Sequence, residues 1–401
     1  MENKITILFV DDEQNILQGL RRLLRGLRDT WNMHFVSSAK EALNLLHDNR
    51  FDVIVSDMRM PEIDGAELLA QVKQLYPHMV RIVLSGYSDQ TMSLRAAESA
   101  HRYLSKPCDA GDLRQTVLKI LAVQQSLHSQ ELAHLVTQID SLPSQPTMYQ
   151  ELSAVLQRES SSVQIISHCI KKDPALTAKI LQLVNSSFFG LRQEVINVSD
   201  AVKLLGHVLI RSIALSTNLF REFENQHPGL INLYDHSYQV ANVARHIAMK
   251  QKLSREMTDA AFTAGLLHDT GKMILSSRLP EVYTDVLKEV HETGQPSWEI
   301  EKTKLGFNHA DIGGYLLKLW GLPDHIVSTV LFHQEPAKSH ETQFTLLAAV
   351  HAANHIVNKM NHPAKPNRLD HEYLQQLGIT DTIRQWETSS IESHAAEGVK
   401  L

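Results

Sequence analysis

Five polar residues stand where short apolar runs end. Asp11 and Asp12 follow ITILFV, Asp57 follows FDVIVS, Ser85 follows VRIVL and Lys106 follows HRYLS. If those runs are parallel strands, their carboxyl ends share one edge, the edge at which open α/β sheets collect ligands. Three carboxylates gathered there repel one another unless a hard cation sits among them. Mg2+ accepts a few carboxylates, keeps several waters and leaves room for a phosphoryl oxygen. Lys106 can pair with a carboxylate or a phosphoryl group, and the Ser85 hydroxyl can hydrogen-bond the latter. Asp57, followed by MRMPEIDG with Pro61 and Gly65 as turn punctuation, then serves as a carboxylate nucleophile that can form an acyl phosphate. Singly, Asp57 reads as well as a solvated loop acid, Asp11 and Asp12 as a helix N-terminal cap pair, and Lys106 as a solvated charge. Their joint placement at strand ends is what points to chemistry.

The elements that must position these residues alternate. ITILFV (5–10) and HFVSS (34–38) read as strands, as do the runs around Val53–Val55, VRIVLSG and HRYLSKP. Between them, Ile16, Leu17, Leu20, Leu23, Leu24 and Leu27 recur at helical spacing. AKEALNLLHDN, ELLAQVKQLYP (closed by Pro77), SLRAAESA and DLRQTVLKIL read as further helices. This βα alternation over residues 1–122 predicts an α/β domain, a doubly wound, five-stranded parallel sheet with helices on both faces.

VDDE, VSDMRMPEIDG, LSG and the SKP ending, in that order, resemble the receiver domain of bacterial two-component response regulators, over residues 4–122. The resemblance implies that Asp57 is the phosphoacceptor of a histidine kinase. It implies that Asp12, Asp57 and the backbone carbonyl of Arg59 bind Mg2+, with Asp11 acting through water. Tyr103, three residues before Lys106, takes the place of the aromatic switch residue. A phosphoryl group adds about −1.5 to −2 charges; Ser85 can move toward it and Tyr103 can fill the space vacated.

VQQSLHSQELAHLVTQIDS (123–141) has neither Pro nor Gly and continues the last helix. Leu121, Leu127, Leu132, Leu135 and Ile139 form a sparse apolar stripe, too irregular for a regular coiled coil. It reads as a connector helix, either a site of homodimerisation or a helix packed on the second domain. SLPSQP (141–146) then breaks it.

From residue 142 to about 360 strand signals nearly vanish, and the chain reads as an all-α domain. Pro174 suits the first turn of a helix, and Gly190 and Gly206 mark helix ends. Many of the 22 histidines fall after residue 226. His236 lies in a helix, His268 and Asp269 lie near a helix end set by Gly271, His309 opens a helix, His333 ends one, and Asn354 lies in another. Imidazole and carboxylate converging from several helices build a metal site for iron, manganese or zinc. A hydrogen-bonded structural His–Asp pair is the plainer reading. Residues 361–401 read as a loop and short helices without chemistry.

NSSFFG, DAVKLLG, AGLLHDTGK, HADIGGYLLKLWGLP and FHQEP together resemble the HDOD output domain, over roughly residues 135–357. That family is related to HD-type metal phosphohydrolases, including HD-GYP cyclic di-GMP phosphodiesterases. Typical HDOD domains have lost the metal ligands and act as signalling modules through an as yet unspecified protein partner. This chain departs from them by keeping His236, His268, Asp269, His309 and His333, with Lys272 at the position of the lysine after the HD pair. Asn354 stands where an aspartate is expected, Gln334 replaces the second histidine of the usual pair, and EPAKSHETQ replaces the GYP signature. A mononuclear site tolerates these changes; a bridged two-metal site is weakened. The resemblance thus implies a response regulator with an HDOD output, or a phosphorylation-gated phosphohydrolase of a nucleotide or cyclic dinucleotide.

Composition limits the alternatives. A net charge of −6 leaves no basic footprint for nucleic acid. No apolar run approaches the ~20 residues that span a bilayer, and MENKITILFVDDE is no signal peptide. Cys108 and Cys169 lack zinc-type spacing and suit a reducing cytoplasm.

Overall fold

A computed structural model of the chain describes residues 4–85, 99–106, 111–118, 130–139, 142, 151–152, 154–156, 161–185, 194–215, 228–362 and 369–388. Residues 186–190 of NSSFFG, Gly190 among them, and most of SLRAAESA lie outside the described residues. The chain divides into two compact units.

The first unit holds β1 (Ile5–Val10), α1 (Gln14–Leu23), β2 (Trp31–Val36), α2 (Ala39–Asp48), β3 (Val53–Asp57), α3 (Gly65–Leu75), β4 (Val80–Ser85) and β5 (Arg102–Ser105). All pairings are parallel, in the order β2-β1-β3-β4-β5. Strands β1 and β3 are apolar because helices cover both faces; every residue of β3 is buried. The order reverses between β1 and β3, which opens a crevice at their carboxyl ends. Asp11 directly follows β1, Asp57 closes β3, and Lys106 directly follows β5.

Side chains stop the helices from drifting. Ser38 caps α2, its side chain accepting from Glu41 N–H, and Asp64 caps α3 by accepting from Glu67 N–H. Strand β2 starts three residues before the HFVSS run, at Trp31, and stops at Val36. Its end is set by the cap at Ser38, so Ser37 and Ser38 of the HFVSS run lie outside the strand. Gly65 is needed for close approach: a Cβ there would lie 1.9 Å from the Asp57 carbonyl oxygen.

The described part of the connector forms α4 (Gln130–Thr137), within the first unit. Leu132 and Ile139 of the apolar stripe are buried, as is Val136 beside them. The Thr137 carbonyl accepts from Arg81 Nη2 (3.1 Å), with His101 Nε2 at 2.9 Å. Arg81, on β4, is wholly buried, and its Nε donates to the Ser99 carbonyl (2.6 Å). A guanidinium facing the last carbonyls of a helix is favoured by the helix dipole.

The second unit is helical among its described residues. It holds α5 (Val163–Lys171), most of α6 (Pro174–Val184), α7 (Val198–Leu215), α8 (Pro228–Lys250), α9 (Arg255–Leu267) and α10 (Thr270–Arg278). It continues with α11 (Pro280–Thr293), α12 (Ser297–Leu305), most of α13 (His309–Trp320), α14 (Asp324–Phe332), α15 (Leu346–Asn361) and α16 (His371–Gln376). Pro174 opens α6 as its fixed φ favours, and Gly206 (φ 72°) breaks α7 into two segments. Small residues let helices touch: a Cβ on Gly265 would lie 2.9 Å from the Ala241 Cα, pinning α9 to α8. Tyr373, Leu374 and Trp386 are buried, so residues beyond 361 contribute to this core. No described helix is long and apolar enough to cross a membrane.

Candidate functional site

At the crevice of the first unit, Asp11, Asp12 and Asp57 each turn one carboxylate oxygen to within 4.8 Å of the others. Asp11 and Asp57 are buried and Asp12 is exposed. Lys106 Nζ sits 2.7 Å from Asp11 Oδ2 and 2.5 Å from Asp57 Oδ1. Asp57 Oδ2 accepts from the Arg59 backbone N–H (3.2 Å), and Asp11 Oδ1 from Glu13 N–H (3.0 Å). Burial lifts the Asp57 carboxyl above its ordinary value, against the pull of Lys106. Burial works to depress Lys106, but its hydrogen bonds to Asp11 and Asp57 outweigh this and hold the ammonium above its usual value. Two buried acids, a third at the rim and one lysine leave an excess of negative charge, which a hard divalent cation fits. Tyr103 is buried on β5, and Ser85 closes β4, though its side chain lies outside those described.

The second unit gathers its site from helix ends. Asp269 is wholly buried at the junction of α9 and α10. Its Oδ2 lies 3.3 Å from His268 Nε2, 3.7 Å from His236 Nε2 and 2.8 Å from Lys272 Nζ. Its Oδ1 lies 3.4 Å from His309 Nε2 and 3.7 Å from His333 Nε2. Gly271 lets the α10 and α13 ends meet, because a Cβ there would lie 1.9 Å from the His309 carbonyl oxygen. His236 Nε2 also lies 3.1 Å from Asn354 Oδ1. The sequence-predicted residues His236, His268, Asp269, Lys272, His309, His333 and Asn354 therefore come together in one place.

Each ring is aimed from behind. His268 Nδ1 is held by the Gly265 carbonyl (2.7 Å), His333 Nδ1 by the Val330 carbonyl (2.8 Å) and His309 Nδ1 by Glu301 Oε2 (2.6 Å). Such partners orient metal-ligating imidazoles and leave Nε2 free to bind. Glu301 and His351 are functional neighbours that sequence reasoning missed. Glu301 reads as one more charge in the solvated-looking WEIEKTK, yet it is wholly buried. His351, on α15, holds the His333 carbonyl through Nδ1 (2.8 Å) and accepts from Asp370 N–H (3.0 Å).

Electrostatics agree with a cation-binding cluster. Burial pushes His236 and His333 down to about 3, so both rings are neutral. Burial would raise Asp269, but His268 and Lys272 hold its carboxyl well below the usual range. Burial would likewise raise Glu301, but His309 holds it below its ordinary value. Among the described residues, His268 Nε2 and Asp269 Oδ1 have no hydrogen-bond partner. Buried imidazole and carboxylate atoms without such partners, gathered in one cluster, fit a cation. A cavity of about 960 Å³ opens on the cluster, lined by His236, Asp269, Lys272, Gln334 and Asn354.

Comparison with protein-family models matches residues 7–118 to the response regulator receiver domain and residues 142–336 to the HDOD domain. The chain is a response regulator carrying an HDOD domain. An uncharacterized protein of Treponema pallidum (strain Nichols) is 25% identical over 222 residues, 55% of this chain and 43% of its own length. The transcriptional regulatory protein ZraR of Escherichia coli (strain K12) is 30% identical over 167 residues, 41% of this chain and 37% of its own length. The chain thus spans less than half the length of these curated relatives. Among solved structures, the MmoQ response regulator from Methylococcus capsulatus str. Bath aligns with a TM-score of 0.47 at 24% identity. That alignment covers 62% of this chain and 98% of that one.

Proposed function

We propose that a histidine kinase phosphorylates this response regulator on Asp57, and that the HDOD domain passes the signal to a protein partner in the cytoplasm. The observation that carries this reading is Asp57 at the end of β3, with Lys106 Nζ 2.5 Å from its Oδ1 and Asp11 alongside. An Asp57 oxygen attacks phosphorus, the bond from phosphorus to the kinase imidazole breaks, and an acyl phosphate results. Asp11, Asp12 and Asp57 would hold Mg2+, with the Arg59 carbonyl as a further ligand; that ion neutralises charge on the transferred group when bound. Lys106 is freed from one carboxylate oxygen to pair with the phosphoryl group, Ser85 offers a hydroxyl, and buried Tyr103 adjusts behind it. Incubation with acetyl phosphate tests this. The parent chain takes up label and Asp57→Asn does not; label on Asp57→Asn would disprove the assignment.

A second reading is favoured by His268 Nε2 and Asp269 Oδ1, buried without a hydrogen-bond partner among the described residues, and by the cavity that His236 and Asp269 of the same cluster line. On this reading His236, His268, Asp269, His309, His333 and Asn354 would hold a divalent iron, manganese or zinc ion, and the HDOD domain hydrolyses a phosphoester of a nucleotide or cyclic dinucleotide. A bound cation would supply Lewis acidity toward a phosphoryl oxygen. Lys272, 20% exposed beside Asp269, presents positive charge to a substrate anion. Release of phosphate or a linear dinucleotide, lost in the His268→Ala, Asp269→Ala double variant, tests it; turnover that survives in the variant would refute it.

A further inference from the structure

Gln334 stands between two of the clustered histidines. Its Nε2 lies 3.2 Å from His309 Nε2 and 3.0 Å from His333 Nε2. Both rings have their tautomer set from the far side. His309 gives its Nδ1 proton to Glu301 Oε2, and His333 gives its own to the Val330 carbonyl, groups that accept when the carboxylate is ionised. On a neutral ring whose Nδ1 donates, Nε2 is a lone pair. Only a donor can face two lone pairs at once, so the amide NH₂ of Gln334, with its two hydrogens, is the end turned toward them.

Those lone pairs are the ones a cation would need. Asp269, His309 and His333 bring one ligand atom each to within 4.8 Å of one another. The amide and a cation compete for the same two nitrogens. By contrast, His268 Nε2 is reached by no hydrogen-bond donor among the described residues. The cluster is thus closed by an amide on one side and bare on the other. Gln334 is only half-buried and lines the cavity, so its side chain has room to swing away.

We propose that Gln334 is a stopper on the histidine cluster: its side-chain amide occupies the place of a divalent cation, and cation affinity is set by the cost of displacing it. The proposal rests on the cation-binding reading of the HDOD cluster. It assigns Gln334 a positioning role opposite to that of a ligand.

Mn2+ is titrated calorimetrically into the full chain, with Asp269→Ala as the blank that accounts for the receiver acids. Gln334→Met keeps the volume and removes both hydrogens; Gln334→Ala empties the place. Each hydrogen bond lost is a modest net term, so both variants should bind Mn2+ roughly tenfold more tightly than the parent. Thermal melting of each variant confirms that it is folded. Equal affinity in parent and variants overturns the proposal, and weaker binding in the variants overturns it by making Gln334 a ligand. If the parent and both variants bind no Mn2+ beyond the blank, the cation reading itself is wrong and the proposal falls with it.

Discussion

Lys106→Met removes the ammonium that, alone among the described residues, touches both Asp11 and Asp57, at 2.7 and 2.5 Å. The two acids are then left buried within 4.8 Å of each other. At an effective dielectric of ~20, unit charges at that separation repel by ~3.5 kcal/mol. Breaking a buried pair by deleting one partner costs ~3–5 kcal/mol, which agrees. Protonation of Asp57 limits the penalty, because burial already raises its pKa; the loss therefore shrinks as pH falls. Amide exchange of the β1 and β3 peptides, followed by mass spectrometry on the full chain at pH 7.5 with EDTA, reads the effect. A loss of ~3 kcal/mol is about a hundredfold drop in protection. Millimolar Mg2+ should restore most of it, since a cation replaces the missing charge. Protection unchanged within a factor of about three would show that Lys106 does not hold these acids together. Failure of Mg2+ to restore protection would show that they do not share a cation.

Acid should weaken the HDOD domain. His236 and His333 have folded values of about 3, below the ordinary 6.5. A lowered value favours the neutral ring in the folded state, so this stability is complete above pH 6.5 and is lost as pH falls toward 3. Between pH 6.5 and 5.5 the two rings together account for about 2 kcal/mol. Urea midpoints in a chelator-containing buffer should follow that slope, and a flat profile would contradict neutral buried rings. Glu301→Gln removes the carboxylate that aims His309, and should lower Mn2+ affinity about 10–100-fold; unchanged affinity would mean that the ring is aimed by packing alone.

The acids at the strand ends were legible because a parallel sheet turns consecutive apolar runs toward one edge, and Asp11, Asp57 and Lys106 each follow such a run. The start of β2 was not. Asn32, Met33 and His34 pair with Thr6, Ile7 and Leu8 on an edge strand of mixed polarity, where no apolar run marks the first residue. The ring positions at helix ends were legible from sequence: His333 caps α14 and His309 opens α13. Their supports were not, because backbone carbonyls such as that of Val330 carry no residue-type signal. Glu301 resembles its exposed neighbours Lys302 and Lys304 until the packing is known. Gly65 and Gly271 were read as punctuation, whereas their role is to let the Asp57 and His309 carbonyls approach.

His101 and Lys106 are five residues apart, a stretch of backbone only ~17 Å long in extended form. One end of this strap is tied to the last turn of α4 and the other to the paired acids. A strap this short has little slack. Because β5 pairs with β4 along this stretch, both ties are held at fixed positions on one sheet.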